Sequence, residues 1–194
     1  MLTSVVGINW GDEGKGRMVD MLSRDYEIVV RYQGGNNAGH TVVNEKGKFV
    51  MNLLPSGILR PETMNVLAPG MVIDLAHLCK EVGRLKAAGI SFPPEHLVIS
   101  SRASICMPYH VLLDSLEEAR LGNKKFGSTL RGISPSYADR YMKKALRMGD
   151  LLHPETLKEK VEDITEWKNL TVEKGYGWAP VKADEMLKWL EEYG

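Results

Sequence analysis

An α/β fold with a mainly parallel sheet and flanking helices is what this 194-residue chain predicts, on three observations. Short apolar runs with strand character alternate with segments of helical periodicity. Two of the runs end in glycine-rich polar loops. No internal repeat, linker or low-complexity segment divides the sequence, so residues 1–194 read as part of a single domain.

The elements follow in order. Leu2 to Ile8 reads as a first strand, which breaks at Asn9-Trp10-Gly11-Asp12-Glu13-Gly14-Lys15-Gly16-Arg17 and restarts as a helix over Met18 to Leu22. Tyr26 to Arg31 is a second strand. Thr41 to Met51 reads as a hairpin turning at Glu45-Lys46-Gly47-Lys48. Val66-Leu67-Ala68 is a short strand, and Asp74 caps a helix whose Leu75, Leu78, Val82 and Leu85 share a face until Gly89 ends it. Leu97-Val98-Ile99 makes another strand. Tyr109 to Leu121 and Ser136 to Met148 read as helices. Pro154 opens a further one with Leu157, Val161, Ile164 and Trp167 on a stripe, and Met186, Leu187 and Leu190 mark the last.

Composition excludes several partners. The chain is 43% hydrophobic and 26% charged with formal net charge zero, so neither nucleic acid nor membrane is indicated, and no signal peptide or spanning run is recognised. Cys79 and Cys106 are isolated and read as reduced thiols of a cytoplasmic protein. Residues 150–194 are predominantly acidic and unsuited to phosphate.

Three clusters carry chemistry. A strand that breaks into glycines, presents Lys15 and restarts as a helix aims backbone N–H groups at one spot, the P-loop-like way of holding phosphate. The spacing is unlike a Walker loop, because two residues separate Gly11 from Gly14 and Gly16 follows Lys15 in place of Ser or Thr. Asp12 and Glu13 stand inside the loop, where a carboxylate beside polyphosphate needs a metal ion or a second substrate to justify it. A plain strand-to-helix turn with an exposed Asp-Glu pair is the alternative. The second cluster, Arg31-Tyr32-Gln33-Gly34-Gly35-Asn36-Asn37-Ala38-Gly39-His40-Thr41, is a strand-end loop of ligand-binding composition; its glycines and amides could equally serve positive φ angles alone. The third, Gly127-Ser128-Thr129-Leu130-Arg131-Gly132-Ile133-Ser134-Pro135-Ser136-Tyr137-Ala138-Asp139-Arg140, lies in a basic stretch running from Arg120 to Arg147. Hydroxyls and guanidinium groups there suit a phosphate, and a solvated basic face is the other reading.

Taken together, the WGDEGKG, RYQGG-x-NAGHT and GST-x-RGI-x-P-x-Y-x-D loops resemble those of adenylosuccinate synthetases, and the resemblance runs from Val5 to about Leu152. It implies GTP-dependent ligation of IMP and L-aspartate through 6-phosphoryl-IMP, with Mg²⁺, in a homodimer. It also implies a longer protein. Guanine recognition, part of the IMP site and the aspartate loop belong to a later portion of the family's length, and no T-K-x-D-like motif occurs here, so the chain is expected to be an N-terminal portion that is inactive alone. Sheet and site are then incomplete at the C-terminal end.

The chemistry assigns roles before the positions are matched. The IMP lactam needs its N1 proton removed and its O6 converted to a phosphate ester, tasks for a carboxylate and for γ-phosphoryl transfer. The resemblance gives the base role and a Mg²⁺ ligand to Asp12, a second Mg²⁺ ligand to the Gly39 carbonyl, and transition-state stabilisation to His40. Lys15 goes to the phosphoryl oxygens. Gly11, Asp12, Glu13, Gly14, Lys15, Gly16, Gly39, His40 and Thr41 form the GTP loop set. Asn37 and Thr129 would contact IMP. Lys143 stands where the family sends an arginine to the partner subunit's IMP phosphate, and keeps the charge without the bidentate fork. Arg17 and Ser134 are further departures, for a usual lysine and glycine. A 2-aminoadenylosuccinate synthetase acting on dGMP, and a non-catalytic piece that binds nucleotide or dimerises, are the rival functions. Trp10, His77, His96, His110 and His153 are assigned no chemistry.

Overall fold

The computed structural model describes residues 1–9, 13–44 and 47–194. Its organising strand is β4 (Met64–Ile73), with β1 (Ile28–Gly34) paired parallel along one edge. On β4, β5 (Leu97–Ile99) pairs parallel with residues 65–67 and β6 (Ser104–Ile105) with Val72 and Ile73. A separate antiparallel pair, β2 (His40–Asn44) and β3 (Gly47–Met51), forms the expected hairpin, whose turn residues 45 and 46 lie outside the described residues. Helices complete the α/β pattern: α1 (Lys15–Leu22), α2 (Leu75–Ala87), α3 (Pro108–Leu121), α4 (Ile133–Tyr141), α5 (Pro154–Asn169) and α6 (Ala183–Tyr193).

Periodicity explains the core. Leu67, Met71, Val72 and Ile73 of β4 are fully buried, and Leu75, Leu78 and Leu85 of α2 pack into the same cluster with Val161, Ile164, Met186 and Leu190 from α5 and α6. Asp74 caps α2 as expected, its carboxylate accepting the His77 N–H at 3.0 Å. Glu81 interrupts the apolar stripe of α2. It is buried because it accepts backbone N–H groups of Asn52, Leu53 and Leu54 at 2.8, 2.9 and 3.3 Å, closing the chain after β3.

Three expectations are corrected. Residues 2–8 form no strand: residues 1–7 have no regular structure, and Leu2, Val6 and Ile8 are 96%, 61% and 91% exposed. Strand propensity becomes a strand only when a neighbour supplies the ladder, and no described strand pairs with this run. The helix after the first glycine loop starts at Lys15, three residues early, because Gly14 at φ 80° supplies the left-handed turn that launches it.

The helix read as Ser136 to Met148 is displaced to Ile133–Tyr141. It ends in a Schellman arrangement, with Lys144 N–H donating to Asp139 O at 2.8 Å and Lys143 N–H to Arg140 O at 3.3 Å. Lys143 takes the left-handed position at φ 60°, normally a glycine's. The stop is imposed from outside, since Leu146 is fully buried and its carbonyl accepts the Ile105 N–H at 2.9 Å. A helix continued to Met148 could not make that bond.

Candidate functional site

The second and first glycine clusters meet at His40. Its ring packs on Gly16, where even a Cβ would overlap the imidazole, and the Ser56 hydroxyl holds the Gly16 carbonyl at 3.2 Å. His40 Nε2 is buried without a partner among the described residues. Burial first, and Arg31 second, push its pKa down to about 4, against a smaller opposing pull from Asp20. The imidazole is therefore neutral at pH 7 and lies against the turn that opens α1.

Lys15 is engaged within its own loop. Its ammonium pairs with Glu13 at 2.5 Å, and Glu13 also accepts the Asn9 N–H at 2.8 Å; these bonds hold the Glu13 carboxyl down to about 2. Gly7 lets the pair lie close, since a Cβ there would sit 2.5 Å from Lys15 Nζ. Trp10, Gly11 and Asp12 lie outside the described residues, so the arrangement of the Asp12 carboxylate is not described. Gly39 is exposed beside Asn52, whose amide nitrogen stands 2.8 Å from where a Cβ would be. Thr41, also exposed, pairs with Val50 across the hairpin.

The second and third clusters meet through Tyr137. Its hydroxyl accepts the Gly34 N–H at 2.8 Å and donates to Gly70 O at 2.9 Å, joining β1, β4 and α4. Gly35 is pressed against Ile133, the first residue of α4. Arg31 braces the same loop from behind, donating to the carbonyls of Gly35 and Asn52. Of the neighbouring amides, Asn36 is buried and donates to Asp74 at 3.0 Å, whereas Asn37, expected at IMP, is exposed. Thr129 and Lys143 are exposed as well.

Sequence reasoning missed Arg31, Tyr137, Asn36 and Glu81 as organisers of the site. The first three sit inside the quoted clusters, and a large polar side chain among glycines was the available signal. Glu81, an acid on an apolar stripe, was a sharper one.

A parallel sheet whose β1-end loop touches glycine loops from two other stretches of sequence defines an α/β protein with a loop-built polar site. The chain belongs to the adenylosuccinate synthetase family, whose model matches residues 4–194. It is 48% identical over 188 residues to adenylosuccinate synthetase 2 of Pseudoalteromonas translucida, covering 96% of this chain and 44% of that protein. It is likewise 48% identical over 189 residues to the adenylosuccinate synthetase of Halothermothrix orenii, covering 97% and 44%. Among solved structures, the fully ligated adenylosuccinate synthetase of Plasmodium falciparum superposes with a TM-score of 0.82 at 31% identity, covering 96% of this chain and 43% of that one. A cyanophage S-2L succinoaminodeoxyadenylate synthetase, bound to dGMP and dATP, shares the fold at 24% identity with a TM-score of 0.56, covering 81% and 45%. The chain thus spans less than half the length of these relatives. No helix among the described residues is long and apolar enough to cross a membrane.

Proposed function

We propose that this chain supplies the phosphoryl-transfer side of an adenylosuccinate synthetase, a cytoplasmic homodimeric ligase that joins IMP to L-aspartate at the expense of GTP in AMP synthesis. The observation that carries the reading is His40: a half-buried, neutral imidazole whose buried Nε2 has no partner among the described residues, packed against Gly16 in the first turn of α1. No group among the described residues uses that atom, and a phosphoryl oxygen would.

In this reading Asp12 removes the N1 proton of IMP, and O6 takes the γ-phosphoryl group of GTP to give 6-phosphoryl-IMP. The aspartate amine then displaces phosphate at C6. His40 serves as a neutral Nε2–H donor to the transferring group, whose negative charge raises the proton affinity of the imidazole and so prepares it as an acid. Lys15 exchanges Glu13 for the phosphoryl oxygens, with Gly11, Gly14 and Gly16 keeping the backbone close. Asn37 and Thr129 hold IMP, and Lys143 reaches the partner's IMP phosphate as a single point charge. Mg²⁺, held by Asp12 and the Gly39 carbonyl, would neutralise polyphosphate charge; the exposed Gly39 fits that role, and the remaining oxygen donors come from substrate. The chain alone is read as an N-terminal portion of one catalytic domain, folded, binding nucleotide without preferring GTP over ATP, and inactive.

The test is GTP- and aspartate-dependent conversion of IMP by residues 1–194, with and without a synthetase C-terminal portion. Activity is expected only with the added portion. There, Asp12→Asn should lower kcat by about three orders of magnitude, since base and metal ligand are lost together. An Asp12→Asn enzyme keeping a tenth of its activity removes Asp12 from the mechanism. Conversion of dGMP in preference to IMP favours the rival purine ligase.

A further inference from the structure

Helix α3 carries an unusual inner stripe. His110, Asp114 and Glu118 recur at i, i+4 and i+8, and all three are buried, at 0%, 7% and 7% exposure. Such a stripe normally packs apolar residues, and burying these groups costs free energy unless each is bonded. Each is bonded, and apart from a His110 bond to Met107 at the start of α3 every bond goes to residues 126–132 or to α4.

Asp114 accepts the Ser128 hydroxyl at 2.6 Å through Oδ1 and the Gly132 N–H at 2.9 Å through Oδ2. Glu118 accepts the N–H groups of Phe126 and Gly127 at 3.1 and 3.2 Å, one on each carboxylate oxygen. His110 accepts the Met107 N–H at 2.9 Å on Nδ1 and donates from Nε2 to Asp139 of α4 at 2.8 Å, while Lys168 of α5 pairs with the other Asp139 oxygen. Gly132 has no room for a side chain: a Cβ would meet the His110 carbonyl carbon and Val111 nitrogen at 2.7 Å. The two ends of the loop, 126–127 and 132, are thus clamped to one helix, and Leu130 between them is held at φ 55°. Thr129 and Arg131 are left exposed on the outer side.

We infer that Asp114 and Glu118 are positioning residues: a pair of buried carboxylates one helical turn apart that fixes the basic loop so that Thr129 and Arg131 are already in place when a nucleotide phosphate arrives. The inference rests on the reading of that loop as the IMP side of the site. Its physical sense is preorganisation. A basic, glycine-containing loop left to itself spends binding free energy on ordering, and the carboxylates remove that cost by using backbone N–H groups the phosphate does not need.

The experiment uses the 194-residue chain, with IMP as probe. Amide hydrogen exchange of Gly127 and Gly132, thermal midpoint and IMP affinity are measured for wild type, Asp114→Asn, Glu118→Gln, Ser128→Ala and Ser128→Thr. Loss of one charge-assisted bond should speed exchange at the clamped amide by about tenfold or more and weaken IMP binding similarly, with α2 amides unchanged. Ser128→Thr, which keeps the hydroxyl, should restore what Ser128→Ala loses, an outcome a purely space-filling serine would not give. Ser128→Ala removes no buried charge, so it remains informative if the carboxylate variants do not fold. Unchanged loop exchange in all variants overturns the inference, as does unchanged IMP affinity where wild type binds IMP. If the 194-residue wild type binds no IMP, affinity is read with a synthetase C-terminal portion added, and exchange at Gly127 and Gly132 still judges the clamp.

Discussion

The two faces of the parallel sheet have similar residues and opposite fates. On one, Val29 of β1, Asn65 and Leu67 of β4 and the flanking Leu97 and Ile99 of β5 lie under the 3₁₀ turn Ser56–Leu59, α2 and the loops that lead to the site. On the other, the in-register row Val30, Val66 and Val98 and the pair Ile28 and Met64 face out, with Val30 and Ile28 each 51% exposed and Val98 42%. Strands rich in β-branched residues on both sides are the mark of a sheet covered on both faces. Here coverage, and not composition, separates core from surface. The same holds at residues 2–8, apolar and exposed for want of a ladder.

Four measurements would break or sharpen this comparison. The largest effect is expected away from the sheet, where the covered side is locked by charge. Lys168 is buried against Asp139, over the rings of Tyr109 and Trp167. Lys168→Met should cost about 3–5 kcal/mol in urea unfolding, because a buried carboxylate loses its cation. A loss below 1 kcal/mol would mean that water reaches Asp139.

Next comes the sheet itself. Leu67→Ala, on the covered face, should cost about 2–5 kcal/mol by cavity formation. Val98→Ala, on the open face, should cost under about 1 kcal/mol, most of it strand propensity. Equal costs would show that something covers the second face in solution.

The third concerns pH. His40 is neutral in the folded chain, its pKa depressed from 6.5 to about 4, so the unfolded chain takes up a proton first as pH falls. Stability associated with this group is fully present above 6.5 and is lost between 6.5 and about 4, by ~3 kcal/mol as an order of magnitude. Burial depresses His77 and His110 as well and adds to the loss. Unfolding followed across that window should show His40→Asn with a shallower slope; an unchanged slope would place His40 in water.

The smallest effect is at Leu130, a non-glycine residue at φ 55°. Leu130→Gly relieves left-handed strain of about 1–2 kcal/mol but gives the unfolded chain more freedom, so the net gain should be below about 1 kcal/mol. A marked loss would assign the Leu130 side chain a packing role.

Much of the fold could be read before the structure. The capped α2, the Leu97–Ile99 strand, the 41–51 hairpin and the Pro154 helix carry local signals, periodicity or a cap, that later packing did not override. The end of α4 was illegible, because a buried Leu146 and the strand residue Ile105, far upstream in the chain, decide it. The three loops could be recognised individually from glycines, amides and basic residues, but their meeting could not.

The sequence by itself determined the family, the α/β alternation and the residue types at each loop, because motif spacing and hydrophobic period are properties of the chain. Tertiary structure alone decided that His40 is neutral with an Nε2 that has no partner among the described residues, that Lys15 pairs with Glu13, and that Asp114 and Glu118 serve the basic loop. Burial and hydrogen-bond partners come from residues distant in sequence, and those partners fix the protonation state and position of each group.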